Sequence, residues 1–281
     1  MESSSQGDEA HIWSRRMLAG ARFMHARYRR HAFRAHSHDT FTFGIILEGA
    51  FGLTIDGLDH QVEAGRFSFI EPHAVHTGRC LSAELEYRNA YVGREALEGL
   101  LGIEPDSPWT IACHRPFPAD AGLARDFRQA HAALQGHADP SDDFAGVLGE
   151  IVRRFFRRER RASREPAHRR AVRRVLDVLR SSYERNVSLE ELSSAAGLSR
   201  FHLLRVFRAE MGMPPHAYLL QVRIEHAIPR LLAGESLADV ALRVGFYDQS
   251  HFGRYFKSIV GTPPGDFIAT HRRYAAAAGP G

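Results

Sequence analysis

Two groups of side chains in this sequence are of types and spacings that could do chemistry. The first lies in GLSRFHLLRVFRAEMGMPPHAY (197–218) and GFYDQSHFGRYFKSIVGTPPGDF (245–267). In helical register, Phe201, Leu204 and Arg205 of the first stretch, and Gln249, Ser250 and Arg254 of the second, fall outside the apolar stripe. An arginine fork matches guanine O6 and N7, and glutamine matches adenine N6 and N7. Arg200, His202, Arg208 and Lys257 suit phosphates, which hold register without reading sequence. Packing is the competing role for His202 and its counterpart His251, and plain solvation for every outward residue. The second group is His36-x-His38 with His76 further on. Alternate residues of a strand share a face, so the imidazoles of His36 and His38 point the same way and His76 can join them as a metal ligand. The competing role, preferred here, is hydrogen bonding at the mouth of an effector site, with no metal or cofactor. Cys80 and Cys113 have no adjacent base and no Cys-x-x-Cys spacing, so no nucleophile is assembled.

The elements that must position the first group are duplicated. Moving the second stretch back by 49 residues puts His251 on His202, Arg254 on Arg205, Phe256 on Phe207, Gly261 on Gly212 and Pro263-Pro264 on Pro214-Pro215. Each copy reads as a short helix capped by Ser188 or Ser236, a glycine turn at Gly197 or Gly245, then a second helix. Glu191 and Asp239 stand where a capping box reaches back. Ser199 is the expected cap of one second helix, and Asp248 or Gln249 of the other. Leu203, Val206 and Phe207, and Phe252, Tyr255 and Phe256, are the expected inward stripes. A spacer helix from about His216 to Leu232 joins the copies; at 1.5 Å per residue it is about 25 Å long, which suits two readers one DNA turn apart. Pro229 interrupts this spacer, and a kink at 226–228 or a break and restart is expected there.

Upstream, FTFGIILEG, FGLTIDG, HQVEAG and RFSFIEP read as short strands with hairpin turns at IDG and EAG. SAELEYRNAYVG suits one more strand, REALEGLLG a short helix, and 119–134 and 142–156 two amphipathic helices that pack on the strands or on a second subunit. A small antiparallel barrel or sandwich is expected, with Phe41, Phe43, Ile45, Phe69 and the histidines around an effector pocket. The Arg-dense run 153–174 is read as a helix that ends near Glu165, before Pro166, followed by a linker. The division is then 1–20 a flexible N-terminus, 21–160 a strand-rich domain with added helices, 161–168 a linker, 169–272 the double helix-turn-helix domain and 273–281 a flexible tail.

Charge agrees with this division. Residues 1–150 hold 14 basic and 21 acidic side chains, net −7; residues 151–281 hold 23 and 12, net +11. A basic C-terminal half facing an acidic N-terminal half points to a polyanionic partner. Two cysteines do not make a disulfide framework, and no stretch has the length and apolarity of a membrane span or a signal peptide. A cytoplasmic protein with no membrane partner is the expectation.

On LEELSSAAGLSRFHLLRVFRAEMGMPPHAYLLQVRIEHA and LADVALRVGFYDQSHFGRYFKSIVGTPPGDF, residues 170–270 closely resemble the AraC/XylS family of bacterial transcription regulators. HSHDTFTFGIILEGAFGLTIDG and HQVEAGRFSFIEPHAVHTG resemble the cupin-like arm of many such regulators. The resemblance implies an N-terminal all-β cupin-like barrel with added helices, followed by an all-α domain with two helix-turn-helix motifs. It implies a sequence-specific binder of double-stranded DNA, not an enzyme, with an arm that takes a small-molecule effector and forms a homodimer. RNA polymerase is a further partner if the protein activates transcription. The base-reading and phosphate roles above follow the same resemblance, as do His36, His38, Phe43 and His76 as effector residues. The alternative is a cupin-type metal-dependent enzyme or metal sensor with a DNA-binding appendage. Cupin enzymes place a Glu four or five residues after the second His, where this chain has Thr42 and Phe43. A non-specific architectural DNA binder is the third reading.

Overall fold

In the computed structural model, residues 8–14, 18, 21–55, 57–104, 107–135, 141–160 and 167–277 are described. The N-terminal half is built on two antiparallel sheets. Strands β1 (Glu9–Ser14), β2 (Arg22–Tyr28), β4 (Phe41–Glu48), β7 (Phe67–Ile70) and β9 (Leu85–Val92) form one, in the order β1-β2-β9-β4-β7. Strands β3 (Ala32–His36), β5 (Ala50–Ile55), β6 (Leu58–Glu63) and β8 (His76–Cys80) form the other, in the order β3-β8-β5-β6. The expected hairpin turns fall at Gly57 and Gly65, both at positive φ. The sheets pack face to face, with Met24, Ile46 and Tyr87 of the first meeting Phe33, Leu53 and Val62 of the second.

This corrects the cupin-like barrel: among the described strands the sheets stay open, each with two free edges. Three of the four edges are covered by other means. Phe67 and Phe69 of β7 donate backbone bonds to the carbonyls of Pro118 and Pro116, and a proline has no N–H to return, so no ladder propagates. Helix α10 (Pro264–Ala277) lies against β1, and α9 (Gln249–Val260) against β3. Residues 9–14, assigned from sequence to a loose terminus, are paired with β2 along their whole length. The rest of that call, residues 1–7, 15–17, 19 and 20, lies outside the described residues.

The second face of the five-stranded sheet carries α2 (Ala121–Ala133) and α3 (Ser141–Phe155), with α1 (Arg94–Leu100) nearby. Phe127 of α2 meets Phe67, and Phe144 of α3 meets Phe23, ring to ring at 5.8 and 5.1 Å. The apolar faces of the two helices are therefore buried on their own sheet. The Arg-rich helix stops at Phe155, not near Glu165. Phe156–Arg160 is strand β11, paired with β10 (Trp109–Cys113). Phe156 accounts for the change: its ring packs on Phe41, Phe43 and Phe69 at 5.5–5.8 Å, and this burial outweighs the helix propensity of the arginines after it. Of the assigned linker, residues 161–166 lie outside the described residues and 167–168 open α4 (Ala167–Ser181). Of the assigned tail, 273–277 belong to α10 and 278–281 lie outside.

The C-terminal half is all-helical: α4, then α5 (Leu189–Ala196) and α6 (Arg200–Met211), the spacer α7 (Pro215–Leu232), then α8 (Leu237–Arg243), α9 and α10. Helix α7 runs unbroken through Pro229. Because Pro229 sits in its last turn, only one internal bond is lost and little helix remains to be displaced. Its N-terminal half (Tyr218, Leu219, Val222) joins a core with α4, α5 and α6. Its C-terminal half (Ile224, Ile228, Leu231) joins α8, α9 and α10 in a core continuous with the interior of the β-sandwich.

Candidate DNA interface and an adjoining cavity

Both helix pairs are built by the same local rules. Ser188 and Ser236 accept from the N–H groups of Glu191 and Asp239, each at 3.1 Å, and so cap α5 and α8. The reciprocal arms differ: Asp239 bonds the Ser236 hydroxyl at 2.6 Å, whereas the Glu191 carboxylate turns away to Arg185. Gly197 takes φ 67°, a left-handed conformation that a side chain disfavours, and this aims the following helix. Ser199 caps α6 by accepting from His202 N–H at 3.4 Å, and Asp248 caps α9 by accepting from His251 N–H at 2.6 Å.

Leu203, Phe207, Phe252 and Phe256 are buried, with Val206 and Tyr255 half-buried. Phe201 (81% exposed), Leu204, Arg205 and Arg208 face solvent on α6, as do Gln249, Ser250, Arg254 and Lys257 on α9. The outward faces thus carry the side chains expected there, concentrated in the first turns of each second helix. The two histidines part company. His251 is half-buried and packs its ring on Phe246 and Tyr255, while His202 is exposed. Arg200 pairs with Glu190 at 2.6 Å. Burial holds the His31 imidazole of the sandwich below its ordinary pKa; Asp8 opposes this and the Lys257 charge adds to it. Sequence reasoning passed over Tyr247, 89% exposed beside the α9 cap, and Leu242, 62% exposed on α8. Their aromatic and apolar types read as core in a one-dimensional pattern, and only the folded structure shows otherwise.

The second helix pair is bonded to the sandwich. Tyr28 Oη donates to the Val260 carbonyl at 2.6 Å, at the end of α9. The next residue, Gly261, has φ 93°, and a Cβ there would fall 2.4 Å from the Tyr28 ring, so only glycine permits this approach. The Arg34 guanidinium sits 5.3 Å over the Tyr255 ring. Arg273 of α10 pairs with Glu9 of β1 at 3.1 Å. The first pair touches the sandwich mainly where Val75 packs against its core, and a cleft of about 840 Å³ separates α4 and α6 from β7 and the segment that follows it.

Between the sheets, under α7, lies a cavity of about 100 Å³. His36, His38 and His76 line it. Phe43 does not. On β4 it shares a face with Phe41 and Ile45 toward α2 and α3, while Thr42 and Ile46 face the cavity. The same parity on β7 sends Phe67 and Phe69 outward and Ser68 and Ile70 inward. The phenylalanines expected in a pocket instead form a filled core on the opposite side of the sheet.

The cavity wall is mainly apolar, with Met24, Ile46, Leu53, Ile224 and Ile228, and carries a polar patch around the histidines. His36 Nδ1 lies 2.8 Å from the Arg34 carbonyl and His76 Nδ1 3.0 Å from the Ala74 carbonyl. Burial lowers the pKa of all three histidines, His76 to about 3, with proximity to one another adding to it in His38 and His76. They are neutral at physiological pH. Helix α7 closes the cavity with Gln221 and Glu225. Gln221 is bonded on both sides of the Ser37 peptide: its Oε1 accepts from Ser37 N–H at 3.1 Å and its Nε2 donates to the Ser37 carbonyl. The same Nε2 group donates to Glu225 at 3.0 Å. Burial raises the Glu225 pKa, the largest of several influences. The sequence signal for these two residues was a polar i, i+4 pair in a helix that also carries Arg223 and His226.

The description "Helix-turn-helix domain" matches residues 192–270, and "AraC-like ligand binding domain" matches residues 19–147. Among curated proteins, the HTH-type regulator YbfI of Bacillus subtilis is 28% identical over 77% of this chain and 80% of its own length. The transcriptional activator RhaS of Klebsiella pneumoniae is 24% identical over 80% and 84%. Among solved structures, an apo point variant of ToxT from Vibrio cholerae superposes with a TM-score of 0.60 at 12% identity, covering 95% of this chain and 98% of that one. Wild-type ToxT bound to an unsaturated fatty acid gives 0.57 at 12%, covering 96% and 98%. These structural likenesses extend to the two-part arrangement of sandwich and helical half. Among the described residues no helix is long and apolar enough to cross a membrane.

Proposed function

Because the chain belongs to the AraC/XylS-type family of helix-turn-helix transcription regulators, a DNA-binding and non-catalytic family, we propose that α6 and α9 read neighbouring segments of one duplex under the control of the cavity beneath α7. The observation that carries this reading is the pair of equivalent arginines, Arg205 and Arg254, both exposed on the first two turns of their helices. In helix-turn-helix docking those turns enter the major groove. Phe201 and Leu204 on one helix, and Gln249 and Ser250 on the other, complete the base-reading sets. Arg200, His202, Arg208 and Lys257 take phosphates, and Tyr247 joins them at the rim by its exposure. The spacer supports the geometry: 18 residues in one helix extend about 27 Å.

The effector reading rests on a mainly apolar cavity with a few polar groups, whose roof is the spacer itself. A small molecule bound there contacts both the sandwich and the element that sets the separation of the readers. It gates DNA binding to the extent that it prefers one arrangement of them. A homodimer doubles the contacts and raises the effective concentration. With the apolar sides of α2 and α3 buried, the partner would meet their outer, polar sides. In an activator, RNA polymerase is the further partner.

Selection of bound sites from random DNA, with and without candidate small molecules, tests the reading. The expected result is a two-block motif with centres about 10 base pairs apart, and a shift in affinity with the effector. Unchanged affinity and preference in both Arg205→Ala and Arg254→Ala would sink the assignment of the readers.

A further inference from the structure

The three cavity histidines are arranged for more than hydrogen bonding to an organic effector. A backbone carbonyl only accepts, so the bonds to Arg34 and Ala74 place the proton of His36 and of His76 on Nδ1. Each Nε2 then carries a lone pair, and among the described residues no donor meets either one. Carbonyl-anchored imidazoles of this kind are what fixes ring orientation in metal-ligating histidines. His38 completes the group: its Nδ1 is buried with no hydrogen-bond partner. One nitrogen from each ring lies within 4.8 Å of the others. Nitrogens bound at about 2.1 Å around a tetrahedral ion sit about 3.4 Å apart, so binding draws the rings together by at most about 1.4 Å. Arg22 and Glu225 line the same cavity.

The second observation is what the middle residue of His36-Ser37-His38 does. Ser37 is buried, and both polar groups of its backbone are held by Gln221 of α7. Drawing His36 and His38 toward a common ion moves the peptide between them, and Gln221 is fastened to that peptide.

We propose that His36, His38 and His76 form a divalent transition-metal site, and that the Ser37–Gln221 link transmits its occupancy to the spacer between the two DNA readers. Three imidazoles with an open fourth position suit zinc, cobalt, nickel or ferrous iron and not magnesium or calcium, which take oxygen ligands. The cavity leaves room for water at the fourth position. This rests on the reading of the cavity as the regulatory site and names the class of its ligand.

The test uses the full chain, stripped of metal and titrated with Co²⁺, then Zn²⁺ in competition with a coloured chelator. One ion per chain is expected, with visible Co²⁺ bands of nitrogen ligation and a rise in melting temperature. His38→Ala and His76→Ala should each weaken binding more than about 100-fold and abolish the metal-induced rise in melting temperature, while far-ultraviolet dichroism reports whether they fold. Failure of the wild-type chain to bind either ion at micromolar concentration, or undiminished binding by folded His→Ala variants, overturns the site. Gel shifts then test the relay. Metal should change wild-type DNA affinity by about fivefold or more, and Gln221→Leu should keep the metal but lose that response. Metal binding without any change in DNA affinity overturns the relay and leaves the site standing. An organic molecule that shifts DNA affinity in a chain that binds no metal overturns the metal inference and leaves the gating reading standing.

Discussion

The two helix-turn-helix units arise from one duplicated pattern, yet they stand differently in the molecule. The second shares its core with the β-sandwich: Phe252, Phe256 and Val260 belong to the same buried cluster as Tyr28, Phe33 and Leu53. The first has a core of its own around Val175, Leu203 and Phe207, joined from the sandwich chiefly by Val75 across the edge of a wide cleft. Equal local units have thus acquired unequal attachment. The difference lies in residues outside the reading faces: the halves of α7, the end of α9, and the strands they meet. Under the proposed gating, a change between the sheets would reach α9 through side chains packed in the shared core, and α6 through α7.

The largest test of this contrast is removal of the central ring from each unit. Phe256→Ala and Phe207→Ala should each cost about 3–5 kcal/mol. Hydrogen exchange should find the Phe256→Ala loss spread into β2 and β3, and the Phe207→Ala loss confined to α4–α6. Equal spreading in both variants would erase the distinction. Next come the readers. Arg254→Ala and Arg205→Ala should each relax preference in one block of the operator by about 1–3 kcal/mol, and selected-site sequencing would show which block. Tyr28→Phe removes the hydroxyl that donates to Val260, a bond worth about 0.5–1.5 kcal/mol. It should loosen α9 and α10 in exchange while leaving α6 as it was. Asp248→Ala and Ser199→Ala should each cost about 1 kcal/mol in thermal unfolding, the first the more because its cap bond is shorter. The smallest change is Lys257→Ala: the slope of log affinity against log salt should fall by about 1, with sequence preference untouched.

Much of the helical half was legible in one dimension. Caps, glycine turns and the apolar stripe are local rules, obeyed within four residues, and Ser199, Phe207 and Arg254 sit where those rules put them. The sandwich was legible as strands but not as an architecture. FTFGII alternates without a polar partner set, so nothing in it says which parity faces the cavity. Phe43 went to the filled core because α2 and α3 arrive on that side of β4. Phe156 shows a similar limit, since its helix-like neighbourhood yields to three rings and a strand that are distant in sequence. Pro229 shows the reverse: a local alarm that position within the helix made harmless.

By itself the sequence determined the duplicated readers, their caps and outward arginines, the strand-rich half that precedes them, and the family, because each depends on contacts or chemistry a few residues apart. Tertiary structure decided that the sheets stay open, which face of β4 holds the cavity, and that Gln221 grips the peptide between two histidines. Those outcomes depend on which surfaces meet across nearly two hundred residues of chain, where burial of apolar area and satisfaction of buried polar groups choose among arrangements that local pattern leaves equivalent.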